Sequence, residues 1–184
     1  SLAFGDALIG YAPAGLIGEG PHAAVVRYDL LFLFAYALCF FGGYWLGREL
    51  GLGPGGAIVA GVAFAYAPFR LEQDGHMQVI SSGGIPLTLA LGVRALRLHR
   101  PWLLIAAALA AAWQVSIGFA VGLPFAYLLA LLLAIGAVVW WRRGKPALDR
   151  RMLIAGLAGV AIFAAVVTVI SLPYFRVADA FPEA

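Results

Sequence analysis

Five long stretches without a charged residue constrain this chain of 184 residues more than any other feature. They cover residues 30–47, 51–69, 77–93, 101–141 and 152–175. A helix needs about 20 predominantly apolar residues to cross the hydrocarbon layer of a membrane, which is about 30 Å thick. Because the stretches have roughly this length and composition, the sequence predicts an all-α fold, a polytopic membrane helix bundle.

The composition excludes several other classes of protein. Hydrophobic residues make up 64% of the chain and charged residues 11%, whereas soluble domains have about 45–50% and about 25%. An ordinary soluble domain, a disordered chain and a disulfide scaffold are therefore excluded. The 12 basic residues are first explained by membrane topology, so no nucleic-acid partner is expected.

Six membrane spans are predicted, because the stretch at 101–141 is long enough for two. Two glycines and a proline at 118–124 predict the turn between these two spans. The expected spans are 28–47, 54–69, 77–96, 102–118, 123–141 and 152–172, so that 28–184 forms the bundle, as part of a larger membrane domain. Residues 1–27 are predicted to be an extracytoplasmic, interfacial segment.

The third span contains a helix-breaking sequence, residues 81–84 (SSGG) followed by Pro86. We expect either a kinked span or a surface helix, a break and a short membrane helix from Ile85. Broken backbone at membrane depth is tolerated only where it is buried in protein or lines a wet cavity.

The charges divide unequally between the two sides that six alternating spans define. One side carries nine Arg and Lys residues with two acids, and the other carries three Arg residues with seven acids. The positive-inside rule makes the first side cytoplasmic, so both ends of the chain are expected outside, in a bacterial inner membrane. Arg94, Arg97 and Arg100 are interpreted as determinants of topology, with binding of anionic lipid head groups as the alternative.

The richest polar segment lies on the predicted outer side, between the second and third spans. Six polar side chains occupy the nine positions from 70 to 78: Arg70, Glu72, Gln73, Asp74, His76 and Gln78. If the segment is helical, Arg70, Asp74 and Gln78 share one face, and Glu72 and His76 share another. Ionisable groups at membrane depth are functional by default, which makes this segment a candidate site.

Each of these side chains suits a particular task. Arg70 can bind a phosphate or carboxylate through its planar guanidinium group. Glu72 and His76 can act as acid and base or, as a weaker hypothesis, bind a divalent metal ion. Gln73 and Gln78 can form hydrogen bonds with hydroxyl groups of a substrate. The structural alternative is that the segment only caps helices, with Arg70 paired to the acid four residues further on.

Asp6 is an isolated acid between apolar residues on the same predicted outer side. One interpretation makes it the N-cap of a helix in the apolar stretch 7–17, a position that Asp favours. The other interpretation makes it a carboxylate that faces a substrate.

The stretch 61–70 (GVAFAYAPFR), followed by Gln73, His76, Gln78 and then 85–87 (IPL), resembles a group of large bacterial polytopic membrane proteins. These proteins are the GT-C-type glycosyltransferases and their uncharacterised relatives. Segments 2–6 (LAFGD) and 44–50 (YWLGREL) resemble them too, so the likeness covers most of the chain up to Arg100. We therefore expect an internal fragment, because the family's first membrane helix and the acidic motif after it would precede Ser1.

The resemblance implies transfer of a sugar from a polyprenyl-phosphate carrier to an acceptor on the extracytoplasmic side, with no cofactor beyond a possible divalent metal ion. In such enzymes an acid in an outer loop serves as base or metal contact, and basic residues hold the lipid phosphate. By this likeness the candidate catalytic residues are Asp6 and His76, and the candidate substrate-binding residues are Arg70, Glu72, Gln73, Asp74 and Gln78. A membrane transporter or lipid flippase and a non-catalytic membrane scaffold are the rival hypotheses.

Overall fold

The computed structural model describes residues 8–73, 75–144 and 149–180. Within these ranges the fold is a 3-10 helix at Ile9–Leu16 and eight α-helices, with no β-strand, which confirms the predicted all-α class. The helices are α1 (Gly20–Glu49), α2 (Pro54–Ala65), α3 (Pro68–Leu71), α4 (Met77–Ile80), α5 (Gly84–Leu98), α6 (Pro101–Ile117), α7 (Phe119–Arg142) and α8 (Arg150–Ala180). Proline in the first turn begins α1, α2, α3 and α6, where its missing N–H costs nothing.

Four segments of the described chain are long and apolar enough to cross a membrane: Gly20–Glu49, Met77–Leu98, Phe119–Arg142 and Arg150–Arg176. The chain is therefore a membrane protein by the length and composition of its helices. The count of six spans is not confirmed, because the helices at the two other predicted positions are short. At 1.5 Å per residue, the 12 residues of α2 measure about 18 Å and the 17 residues of α6 about 26 Å.

The turn between α6 and α7 is tighter than the sequence predicted. A single extended residue, Gly118, reverses the chain, and α7 begins at Phe119 instead of residue 123. Pro124 lies inside α7. Gly122 belongs to the helix contact, since a Cβ there would lie 2.8 Å from the Cα of Val115 on α6. The glycine thus permits close packing of two helices and does not form the turn.

The bundle is organised around two helices. α1 forms an antiparallel hairpin with α2 and also contacts α5, and α6 contacts α5, α7, α8 and the 3-10 helix. The hairpin is close because Gly43 faces the backbone of α2 at Ala60, and Gly61 faces the carbonyl of Phe40. Large apolar side chains of α7 and α8 are exposed along much of their length, as expected of helices that face lipid.

One end of the bundle is rich in arginine. There α1 ends beside Arg48, α5 ends beside Arg97, α6 follows Arg100, and α8 begins at Arg150. Met152 of α8 packs there with Leu103 of α6, in the apolar cluster that also contains Leu91 and Ala95 of α5. We call this the arginine-rich end and use it as the reference level for the site described next.

Candidate functional site

The polar segment between α2 and α5 is not one helix, so the predicted grouping of its side chains by helical face is wrong. α3 is a single turn that ends at Leu71, and α4 is a second single turn that begins at Met77. Glu72 and Gln73 lie in a turn, and His76 has an extended-type backbone, with φ −114° and ψ 79°. Glu72, Gln73 and His76 therefore do not belong to one continuous helix.

Arg70 ties together the ends of two helices. Its Nε donates a hydrogen bond to the carbonyl of Phe64 in α2 at 3.1 Å. Its Nη1 donates to the carbonyls of Ile80 at 2.8 Å and Val79 at 3.4 Å in α4. The last carbonyls of a helix have no partner within the helix, and a guanidinium group satisfies them. The capping role that the sequence left open is present, and Nη2 forms no bond within the described part of the chain.

Aromatic rings surround this arginine. The guanidinium carbon lies 5.0 Å from the centre of the Phe64 ring, a cation–π contact. The Tyr36 hydroxyl of α1 donates to the Arg70 carbonyl at 3.4 Å, and the Tyr36 ring stacks on Tyr66 with centroids 5.7 Å apart. Phe32 lies one turn along α1 at 5.0 Å from Tyr36 and extends the row. Half of the Tyr66 surface is exposed, so the row borders an open face.

The other polar side chains of the segment are available for a ligand. Glu72 and His76 are exposed, and Gln73 and Gln78 are partly buried. Within the described ranges none of these four side chains forms a hydrogen bond or ion pair. Asp6 and Asp74 lie outside the described residues. The structure thus places the Arg70 guanidinium at the C-terminal ends of α2 and α4, with Glu72 and Gln73 in the turn after α3, His76 before α4 and Gln78 within it.

The distance of this site from the arginine-rich end can be counted along α1. Tyr36, which stacks on Tyr66, precedes Glu49 by thirteen residues of α1, or about 20 Å. Glu49 is at the arginine-rich end, and a hydrocarbon layer is about 30 Å thick. The distance of about 20 Å is about two thirds of this thickness.

A second polar region surrounds the break between α4 and α5. Ser81 and Ser82 are buried, as the exclusion of lipid from broken backbone requires. Gln114 of α6 is fully buried, and its Nε2 donates to the Ser81 carbonyl at 2.9 Å. Four buried oxygens lie here, on Tyr11, Ser81, Ser82 and Gln114, and within the described ranges none of them forms a well-aligned hydrogen bond. The Tyr11 hydroxyl lies within interaction range of the Ser81 side chain, and the Cys39 thiol within range of Ser82.

The break lies about 15 Å from the arginine-rich end by counts along two helices. Cys39 of α1, whose thiol contacts the Ile80 carbonyl at 3.3 Å, precedes Glu49 by ten residues, or about 15 Å. Gly84 precedes Arg94, the ion-pair partner of Glu49, by ten residues of α5, also about 15 Å. Both counts give half of the thickness of the hydrocarbon layer. A buried hydrogen-bond acceptor without a donor costs free energy unless a ligand or water binds it.

A buried ion-pair network at the arginine-rich end was missed by the sequence analysis. The Glu49 carboxylate contacts Arg94 Nη1 at 2.6 Å and Arg97 Nη2 at 2.7 Å, and its side chain is 2% exposed. Trp45 Nε1 donates to the same carboxylate at 3.1 Å. The available signal was an acid within an otherwise basic set of loops and two arginines spaced i, i+3 on one helix.

The weaker hypothesis of a metal site has no support among the described residues, where no group of three or more His, Cys, Asp or Glu lies together. Comparison with known protein families, with curated proteins and with solved structures finds no match to this chain. The functional argument therefore depends on the geometry above and on the motif resemblance.

Replacement of Arg70 by lysine tests its capping role. We expect the free energy of unfolding to fall by about 1–2 kcal/mol, because one ammonium group cannot reach carbonyls at both helix ends as the guanidinium fork does. Reversible unfolding in mild detergent measures the change. The matched control is Arg176→Lys, at an exposed arginine of α8, which should be neutral. Equal unfolding midpoints for the two variants would contradict the capping role.

Proposed function

We propose that this chain is part of a GT-C-like membrane glycosyltransferase that moves a sugar from a polyprenyl-phosphate carrier to an acceptor on the extracytoplasmic side. The supporting observation is the 72–76 connection. Glu72, Gln73 and His76 have polar side chains without a partner within the described ranges, close in the chain to an arginine fixed by two helix ends and to the half-exposed ring of Tyr66. A carrier with a lipid tail and a polar head needs such a site, open to the membrane and polar within it.

In this proposal each side chain keeps the task that its chemistry suits. Arg70 binds the carrier phosphate through Nη2, the nitrogen that the two helix ends do not use. Glu72 contacts the acceptor. Asp6 removes the proton of the acceptor hydroxyl as the general base, His76 donates a proton to the leaving carrier phosphate, and Gln73 and Gln78 form hydrogen bonds with sugar hydroxyls. Tyr66 offers an aromatic face to the apolar face of a sugar ring. Rate acceleration comes from orientation and from stabilisation of charge on the leaving phosphate. Asp74 is proposed as a further substrate-binding residue from its sequence position alone.

The proposal includes a cytoplasmic arginine-rich end, a bacterial inner membrane and six crossings. Connectivity supports the last point, since α1 runs to the arginine-rich end, α2 returns, α5 runs back, α6 returns, and α7 and α8 repeat the pair. α2 and α6 are then short crossings whose extracytoplasmic ends lie below the membrane surface. The positive-inside rule supports the orientation.

The test is a sugar-transfer assay with the complete protein in lipid vesicles that contain short-chain polyprenyl-phosphate hexoses. The wild type should transfer sugar, and His76→Ala should lower kcat about tenfold to a hundredfold through loss of proton transfer. His22→Ala is the matched control, because His22 is an exposed histidine near the start of α1. Absence of transfer by the wild type with every hexose carrier would refute the enzyme proposal. An unchanged kcat in His76→Ala would refute the role of His76 alone.

The second candidate function is a transporter or lipid flippase, and the helix break about 15 Å from the arginine-rich end favours it. Transporters place substrate sites at the membrane midplane on interrupted helices, and in the described part of the chain buried oxygens without a well-aligned hydrogen bond surround this break. Cys39 lies beside the break and is buried, which gives a direct test. With other cysteines removed, alternating access should let a water-soluble thiol reagent label Cys39 from both sides of a vesicle. Labelling from neither side would contradict a transporter.

A further inference from the structure

The carboxylate of Glu49 fixes two arginines at one place on the bundle. Oε1 accepts hydrogen bonds from Arg94 and Trp45, and Oε2 forms an ion pair with Arg97 without an aligned hydrogen bond. The two arginines are one helical turn apart on α5, whereas Glu49 is the last residue of α1. Two like charges in neighbouring positions repel each other, and the buried carboxylate between them offsets this repulsion.

The two arginines can still bind a ligand on the side that faces away from Glu49. Their side chains are 40% and 51% exposed, while that of Glu49 is 2% exposed. Each arginine gives one terminal nitrogen to the carboxylate, and their other guanidinium nitrogens have no partner among the described residues. The three groups carry a net charge of +1, and Arg48 and Arg100 are exposed next to them in the sequence. On the side that faces away from Glu49, the network is therefore a fixed, positively charged set of N–H donors.

The surroundings of these donors are those of a lipid head group. Leu96, Leu98 and Trp102 are exposed at the same end of α5 and α6, so apolar surface adjoins the guanidinium groups. Exposed tryptophan next to arginine at a helix end is typical of the membrane interface. A free anion would use only the donors, whereas a phospholipid would use the donors and the apolar surface together.

We propose that Arg94 and Arg97, held in place by Glu49, bind the phosphate of an anionic phospholipid head group whose acyl chains lie against the apolar surface of α5 and α6. Topology alone requires positive charge and no buried acid between two arginines. The acid lowers the local charge by one and fixes the guanidinium planes. Orientation of the two arginines is thus gained at the expense of positive charge. Arginine recognises phosphate through two parallel N–H donors, so its orientation decides the affinity.

The binding test uses native mass spectrometry of the complete protein in detergent, with phosphatidylglycerol or phosphatidylcholine added. The double variant Arg94→Gln and Arg97→Gln should weaken phosphatidylglycerol binding about tenfold or more and leave phosphatidylcholine binding unchanged. The charge-matched control is Arg142→Gln with Arg143→Gln, two exposed arginines at the end of α7, and its affinity should stay within about twofold. Equal weakening in both double variants would overturn the proposal, as would no weakening in either.

Glu49→Gln separates a fixed site from a patch of charge. The substitution raises the local charge by one, so a mere patch would bind phosphatidylglycerol more tightly. A site that depends on held guanidinium groups should bind it more weakly, and Arg97→Lys, which keeps the charge, should weaken it too. Tighter binding in Glu49→Gln would overturn the proposal. Complete displacement of phosphatidylglycerol by inorganic phosphate would overturn the assignment to a lipid.

Discussion

Gly83→Ala is expected to lower the free energy of unfolding by about 3 kcal/mol, at the upper end of the range for overpacked cores. A Cβ at this position would lie 2.8 Å from the backbone nitrogen of Cys39 and 2.8 Å from the carbonyl carbon of Leu38. Both are backbone atoms of α1, so no side-chain rotation relieves the clash. α1 and the start of α5 must separate, and the buried polar groups at the break lose their protein cover.

The matched control for this substitution lies in α5, the helix that Gly83 precedes as its N-cap residue. Gly92 of α5 has open space where a Cβ would be, so Gly92→Ala should be neutral or stabilise the protein by up to about 1 kcal/mol. Unfolding in mild detergent, followed by tryptophan fluorescence, measures both variants. Similar midpoints for Gly83→Ala and Gly92→Ala would show that α1 and α5 are less closely packed than the structure has them.

Asp6→Asn is expected to lower the rate of sugar transfer by about 10²- to 10⁴-fold, the usual cost of removing a general base. The prediction depends on the proposed enzyme function and on the resemblance, because Asp6 lies outside the described residues. Leu8 occupies the N-cap position of the 3-10 helix Ile9–Leu16, and both interpretations of Asp6 fall on residues that the structure does not describe.

The control for Asp6→Asn is Asp29→Asn, at an exposed acid near the outer end of α1. The same change of charge on the same side should leave transfer unchanged. The rate should also fall in kcat and not only through a higher KM, because a general base acts in the chemical step. Equal rates for Asp6→Asn and the wild type would exclude Asp6 as the base and favour an acid elsewhere.

The sequence predicted the helical class and the approximate positions of the four segments of membrane-spanning length, because local features determine them. Charge-free stretches mark the helices, and Pro54 and Pro101 mark two of their starts. Helix length was less predictable: apolar composition continues through 66–69, but α2 ends at Ala65 and Pro68 begins a new turn. Apolar composition alone does not show where backbone hydrogen bonding stops.

The polar segment could be identified from the sequence, but the hydrogen-bond partners of its residues could not. Six polar side chains in nine positions identified the segment, but the bonds of Arg70 to Phe64 and Ile80 depend on how α2 and α4 meet. Glu49 and Arg94 are 45 residues apart, and only the packing of α1 against α5 joins them. The bond from Gln114 to the Ser81 carbonyl likewise depends on how α6 meets the break between α4 and α5.

The shortness of α2 has a consequence for the lipids around it. Ile58, Val59 and Val62 expose an apolar face on a helix about 18 Å long, beside a hydrocarbon layer about 30 Å thick. In the proposed arrangement of six crossings, this hydrophobic mismatch of about 12 Å is relieved by local thinning of the bilayer. The membrane surface then dips beside α2, so we expect thin bilayers to accommodate the protein with less deformation than thick ones.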